Sequence, residues 1–396
     1  MSGRVRNIDV LRGVAILAVV QLHAFSQTGA YQVLGAPAFA RDLASIGWAG
    51  VDLFFVLSAY LLTGNLLRHR DAPGLALSFY KRRALRILPL YWTVLIVGSL
   101  LGIVWDLSGG IPNSFLFGNQ HPLWVYLIFA QNWIGGWTET RHAMYLAPTW
   151  SLAVEEHLYL LLPLFVPRIG LRGLCALALA WIVTAPFIRY GVASEVRPWA
   201  AYVWTIARLD AFGVGILVAV LMSRRPELVR SLPPLPLALA AATFWALLSR
   251  VAPVPAEGPW SSAIAPTLAA AAAACALIAG LAAGGRPSAA PAGRLARGLA
   301  WCGEHCFSLY LLHLPLIAAP FLLVGAPQIA PNVADSFVGV LLVLAGVGAT
   351  FALAAATYRL IEKPYMDMAE TLAPYRLAAS APDAPLAVGS PGFQAR

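Results

Sequence analysis

Residues 51–67 read VDLFFVLSAYLLTGNLL, seventeen positions with one charged side chain, Asp52. A stretch of that length and apolarity approaches the ~20 residues a helix needs to cross the hydrocarbon core of a bilayer. The runs at 11–25, 90–104, 171–188, 203–222, 235–248, 264–283, 307–324 and 337–356 are similarly poor in charge. Segment 148–163, PTWSLAVEEHLYLLLP, also reads as a span, apart from two glutamates and a histidine. The whole chain of 396 residues is 60% hydrophobic and only 11% charged, with a mean hydropathy of +0.73. A soluble globular protein is closer to a quarter charged. The fold class that follows is all-α, a polytopic transmembrane helical bundle of about ten spans.

The net charge of +9 does not point to nucleic acid, because the basic residues are distributed as a membrane topology would distribute them. Arg4 and Arg6 precede the first run, and a dense group from Arg68 to Arg86 follows the second. Later groups are Arg168/Arg172, Arg224/Arg225/Arg230, Arg286/Arg294/Arg297 and Arg359/Lys363. Ten spans with both termini cytoplasmic put every group on the inner side of a plasma (inner) membrane. The short Trp-rich stretch 122–133, followed by Gly135-Gly136, is expected to be re-entrant or interfacial; if it crossed fully, the count would be eleven. The first run is expected to be a retained span, since no small-residue cleavage site follows it. Residues 1–366 form the expected membrane domain, and 367–396, rich in Ala, Pro, Ser and Gly, the expected disordered cytoplasmic tail. Cys175, Cys275, Cys302 and Cys306 suit packing, and neither they nor the scattered histidines have the spacing of a metal site.

Ionisable groups inside spans are costly, so each is a candidate for function. The first span carries Asp9, Arg12 and His23. Asp9 and Arg12 can neutralise each other at i,i+3, and their bland reading is that they mark the membrane boundary. Arg12 and His23 are eleven residues apart, which places them on one helical face about 16 Å apart. In the second span, Asp52 suits a helix N-terminus and Ser58 permits close helix packing. Lys81, Arg82, Arg83 and Arg86 put four positive charges at the start of the third span, suited to phosphate groups or to anionic headgroups. In 148–163, Trp150, Ser151 and Glu155 cluster on successive turns, and Glu155 shares a face with Tyr159. A helix cap does not account for both Glu155 and Glu156 at membrane depth. His313 in the ninth run is a weaker signal.

Taken in order, NIDVLRG with Arg12-x10-His23, GVDLFFVLSAY, KRRALRILPLYW, PTWSLAVEEHLY, RLDAFGVG, SLYLLHLP and RLIEKPY resemble acyltransferase family three, the integral-membrane O-acyltransferases. They cover residues 6 to 365. In the second-span motif Ala59 and Tyr60 stand where the family usually has Gly and Phe. The resemblance implies an acyl-CoA donor, expected to be acetyl-CoA, at the cytoplasmic side and a carbohydrate or glycosylated acceptor, with no metal and no nucleic acid. It implies catalytic roles for His23 and Glu155, with Glu155 orienting or charge-stabilising His23, and donor binding by Arg12, Arg82, Arg83 and Arg86. Asp9, Asp52, Ser58, Trp150, Ser151, Glu156, Tyr159, Arg208 and His313 are the expected supporting residues, and Trp124, Trp133 and Trp137 could stack on a sugar ring. A proton-coupled transporter or flippase, with His23, Glu155 and Asp52 as a relay, is the competing class; the absence of internal repeats weighs against it.

Overall fold

A chain this apolar can satisfy its backbone in a bilayer only as helices or a closed barrel. A computed structural model describes residues 3–109, 116–118, 121–138, 143–251, 258–284, 293–324 and 336–375, among which there is no strand. Ten longer helices organise it: α1 (Gly3–Gln21), α2 (Ala49–Arg68), α3 (Leu75–Leu107), α4 (Thr149–Phe165), α5 (Leu171–Glu195), α6 (Leu209–Arg224), α7 (Pro234–Val251), α8 (Pro259–Gly284), α9 (Cys306–Leu323) and α10 (Phe337–Thr357). Eight helical segments among the described residues are long and apolar enough to cross a membrane. The other two of the ten, α4 and α7, are slightly short. At 17 residues α4 reaches about 25 Å, against a hydrocarbon core of about 30 Å.

The core lies where α1, α2, α3, α4, α6 and α9 meet, around Val19, Phe55, Tyr91, Leu158, Phe212 and Leu311. The outer surface is apolar as well. Ile103 and Val104 of α3, Phe187 of α5 and Phe337 of α10 are 56–75% exposed, a face that suits lipid and not water. Glycines allow the closest crossings. A Cβ on Gly303 would lie 1.8 Å from the Asp9 carbonyl oxygen, and one on Gly13 would lie 1.9 Å from that of Leu299. The amphipathic helix Arg294–Glu304 therefore seats against the first turns of α1, backbone to backbone.

The basic cluster 81–86 lies towards the N-terminal end of α3, at the start of the third span as expected. With 33 residues, α3 is about 50 Å long, so its basic first turns need not share the hydrocarbon depth of the rest. The Trp-rich stretch forms two short helices, Trp124–Leu127 and Gln131–Trp137, neither long enough to cross. They are joined through Phe129, which has φ +56° and stacks on Tyr91 at 5.0 Å. The boundary at 366 falls inside a helix, Lys363–Leu372, because its amphipathic sequence finds α3 to pack against. Of the expected tail, 376–396 lie outside the described residues.

Candidate active site

The α-helical ladder of α1 stops at Gln21, and Leu22–Ser26 continue as a π-helical turn. Such turns are rare and concentrate at functional sites; this one carries His23. Its Nδ1 lies 3.0 Å from the Val19 carbonyl oxygen and 3.1 Å from Nε2 of His313. The rings are tilted by 45°, with centroids 5.0 Å apart. His313, on α9, is fully buried and places its Nδ1 2.6 Å from the Tyr310 carbonyl oxygen. The Tyr310 hydroxyl meets Ser151 Oγ of α4 at 2.6 Å. His23 itself is half-buried and lines a cavity of about 280 Å³ with Gln27, Thr28, Met144, Leu314 and Ile317.

Glu155 does not meet His23. One carboxylate oxygen accepts from Ser58 Oγ at 3.1 Å, and the other accepts from the Tyr159 hydroxyl. The expected Glu155–Tyr159 face exists, but the side chain at hydrogen-bond distance from His23 is that of His313. The reason is geometric: a carboxylate held by two hydroxyls from α2 and from its own helix is turned away from the end of α1. Glu156 Oε1 has no hydrogen-bond partner among the described residues. Trp150 packs with Tyr202 at 5.0 Å and edge-on to Phe55 at 6.5 Å.

The arginines divide into two sets. Arg12 and Arg83 both act electrostatically on Glu155, and Arg12 and Arg86 each lie within electrostatic reach of Arg83. Arg12 pairs loosely with Asp9 at 3.6 Å, and Arg83 Nε has no hydrogen-bond partner among the described residues. Arg82 is engaged elsewhere. It donates to the Ala373 carbonyl at 2.7 Å and covers the Tyr375 ring at 4.6 Å. Arg86 also acts on Glu362, which sits in a second π-helical turn, Tyr358–Glu362, and accepts from Ser308 Oγ.

Asp52 stands in the first turn of α2, as expected. It is fully buried, 2.7 Å from Arg208, whose guanidinium lies over Tyr202 at 4.9 Å and Phe55 at 5.6 Å. Beside them is a pair that the sequence reading missed. Arg189 of α5 donates to both oxygens of Asp210 at 3.0 and 2.8 Å, and to Ala207, Ala263 and Thr267. Arg189 follows the apolar run 171–188 directly, where an arginine reads as the end of a span, and α5 continues past it to Glu195. Trp133, Trp137 and Trp204 line an apolar hollow of about 380 Å³, whereas Trp124 stands apart on the surface, 55% exposed.

A family model described as an acyltransferase domain matches residues 5–359. "Acyltransferase MdmB" of Streptomyces mycarofaciens is 28% identical over 246 residues, 55% of this chain and 58% of the relative. "Putative membrane-bound transacylase BcsY" of Komagataeibacter xylinus is 28% identical over 231 residues, 58% of this chain and 54% of the relative. "Putative O-acetyltransferase SACOL0978" of Staphylococcus aureus is 27% identical over 172 residues, 40% of this chain and 24% of the relative. The chain thus aligns with about a quarter of the staphylococcal relative and little over half of the other two. No solved structure matches. With the family model covering nearly all of the chain, the protein belongs to acyltransferase family three.

Proposed function

We propose that this chain is an O-acyltransferase that moves an acyl group, most simply acetyl, from acyl-CoA to a hydroxyl of a sugar, glycan or glycosylated metabolite. The observation that carries the reading is the two-ended construction of α1. At one end His23 lines a cavity, and its Nε2 makes no hydrogen bond among the described residues. About three turns away, Arg12 joins Arg83 and Arg86 in a positive cluster. Guanidinium groups suit the donor's phosphates, and the pantetheine arm would run along α1 to bring the thioester to His23. The donor end is cytoplasmic in this reading, the membrane is the inner membrane, and both termini are cytoplasmic, as the distribution of Arg and Lys supports.

Two routes use the same residues. In direct transfer the imidazole takes the proton of the acceptor hydroxyl while its oxygen attacks the thioester carbonyl carbon. The C–S bond breaks and the thiolate leaves with the proton held on His23. In the covalent route the imidazole nitrogen bonds the acyl carbon and the thiolate leaves; the acceptor oxygen then takes the acyl group, the C–N bond to the histidine breaks, and the hydroxyl proton passes to the thiolate. Glu155, with Ser58 and Tyr159, supplies negative charge between the two ends, and Trp133 and Trp137 offer ring faces for an acceptor. Nothing favours the relay of a transporter: Asp52 and Glu155 are held by Arg208 and by Ser58 and Tyr159, and neither meets His23.

Donor binding is the test. Purified protein in detergent should bind radiolabelled acetyl-CoA, and Arg83→Gln combined with Arg12→Gln should weaken that binding roughly 100-fold, as expected for two lost charge-assisted contacts. A folded wild-type protein with no affinity for acetyl-CoA would remove the coenzyme A reading.

A further inference from the structure

The hydrogen bonds around the two histidines fix where their protons lie. If His313 carried no proton on Nδ1, a ring lone pair would face the lone pairs of the Tyr310 carbonyl at 2.6 Å. If His23 carried none on Nδ1, the same clash would occur with Val19 at 3.0 Å. Two acceptor atoms do not rest at hydrogen-bond distance without a hydrogen between them. Both rings therefore carry Nδ1–H. A neutral imidazole has one N–H, so both Nε2 atoms are bare. His313 Nε2, 3.1 Å from His23 Nδ1, is then an acceptor. The His23 Nδ1–H is shared between that nitrogen and the Val19 carbonyl.

We propose that His313 is a positioning residue that holds His23 in its Nδ1–H tautomer, making Nε2 the nitrogen that meets the substrate. This deepens the acyltransferase reading and rests on it. The arrangement performs the service that a carboxylate gives an active-site histidine in other enzymes: it fixes the tautomer and the ring angle. A neutral partner suits a buried apolar setting, where a carboxylate without a full set of donors would carry a desolvation penalty. It also explains why Glu155 is free to bond Ser58 and Tyr159 instead. Whether His23 takes the hydroxyl proton or the acyl group, the lone pair it uses is that of Nε2. Ser151 enters indirectly, since its contact with the Tyr310 hydroxyl helps to hold the turn of α9 that presents His313.

The test reads the tautomer and the rate separately. Protein with 15N-labelled histidine ring nitrogens is prepared in detergent as wild type, His23→Ala (to assign the His23 signals), His313→Leu and His313→Gln. Wild type should show His23 with a protonated Nδ1 and a bare Nε2. Coenzyme A thiol release from acetyl-CoA in the presence of an acceptor pool supplies kcat and KM. His313→Leu should lower kcat roughly 10- to 100-fold, the usual loss when a supporting partner is removed, with KM for acetyl-CoA unchanged. In His313→Gln the Oε1 atom replaces the acceptor, so the Nδ1–H signal and most of the rate should return. Protonation of wild-type His23 on Nε2 would overturn the proposal even if His313→Leu does not fold, and so would a His313→Leu enzyme with wild-type kcat. A folded wild-type protein with the expected spectrum and no affinity for acetyl-CoA would overturn the acyltransferase reading while leaving the tautomer established.

Discussion

Arg189 and Asp210 form one buried polar pair in this bundle, and His23 and His313 form another. In the first, the five guanidinium hydrogens have Asp210, Thr267 and the carbonyls of Ala207 and Ala263 as acceptors. The carboxylate in turn accepts from Thr267 and from the Ala211 amide. In the second pair, three of the four ring nitrogens are engaged and the fourth is on a residue that lines a cavity. The first pair has no bonding capacity left for a ligand and joins α5, α6 and α8. The second keeps one acceptor in reserve. Burial alone does not separate structural polar groups from chemical ones; what they leave unsatisfied does.

The strongest way to break that comparison is to unbalance the saturated pair. Arg189→Met leaves Asp210 buried and unpaired, which is expected to destabilise the fold by about 3–5 kcal/mol. The double variant Arg189→Met/Asp210→Leu should recover most of that loss, since both charges are then gone. Thermal unfolding in detergent measures both, and equal stability of wild type and Arg189→Met would remove the distinction. Asp52→Asn is the intermediate case. Asp52 Oδ2 and two nitrogens of Arg208 lack partners among the described residues, so this pair is less completely bonded than Arg189–Asp210. A loss of about 2–3 kcal/mol is expected, below that of Arg189→Met.

The arginines sharpen the picture at the other end of α1. Arg83→Gln should raise KM for acetyl-CoA roughly tenfold or more, whereas Arg82→Gln should change it less than about threefold. The difference follows from Arg82 being occupied by Ala373 and Tyr375. Equal effects would place the donor across both residues. The smallest effect is expected from Ser58→Ala, which removes one hydroxyl donor from Glu155 and should cost about 1 kcal/mol, read as a severalfold fall in kcat with little change in thermal midpoint.

Much of this was legible in the sequence. Spacing within one helix showed that Glu155 meets Tyr159, because helical periodicity is a local property; the spacing of Arg12 and His23 assumed an unbroken α-helix, whereas Leu22–Ser26 form a π-helical turn. What lay beyond it was the choice of partner between helices. His23 and His313 are 290 residues apart, and nothing in either segment says that α1 and α9 cross at that height. The same gap hid Arg189–Asp210, Asp52–Arg208, and the capture of Arg82 by residues 373–375. Glu155 was assigned to His23 because it was the most conspicuous acid at membrane depth. Packing gave it two hydroxyls instead.

The most direct test of the central claim is acyl transfer by His23→Ala. Purified wild-type and variant proteins are compared for label moved from radiolabelled acetyl-CoA to a panel of sugar and glycolipid acceptors, with donor binding and thermal midpoint measured on the same samples. Transfer should fall by roughly 100-fold or more, while the variant melts within about 1 kcal/mol of wild type and binds acetyl-CoA as before. A His23→Ala protein that transfers label at the wild-type rate would contradict the account.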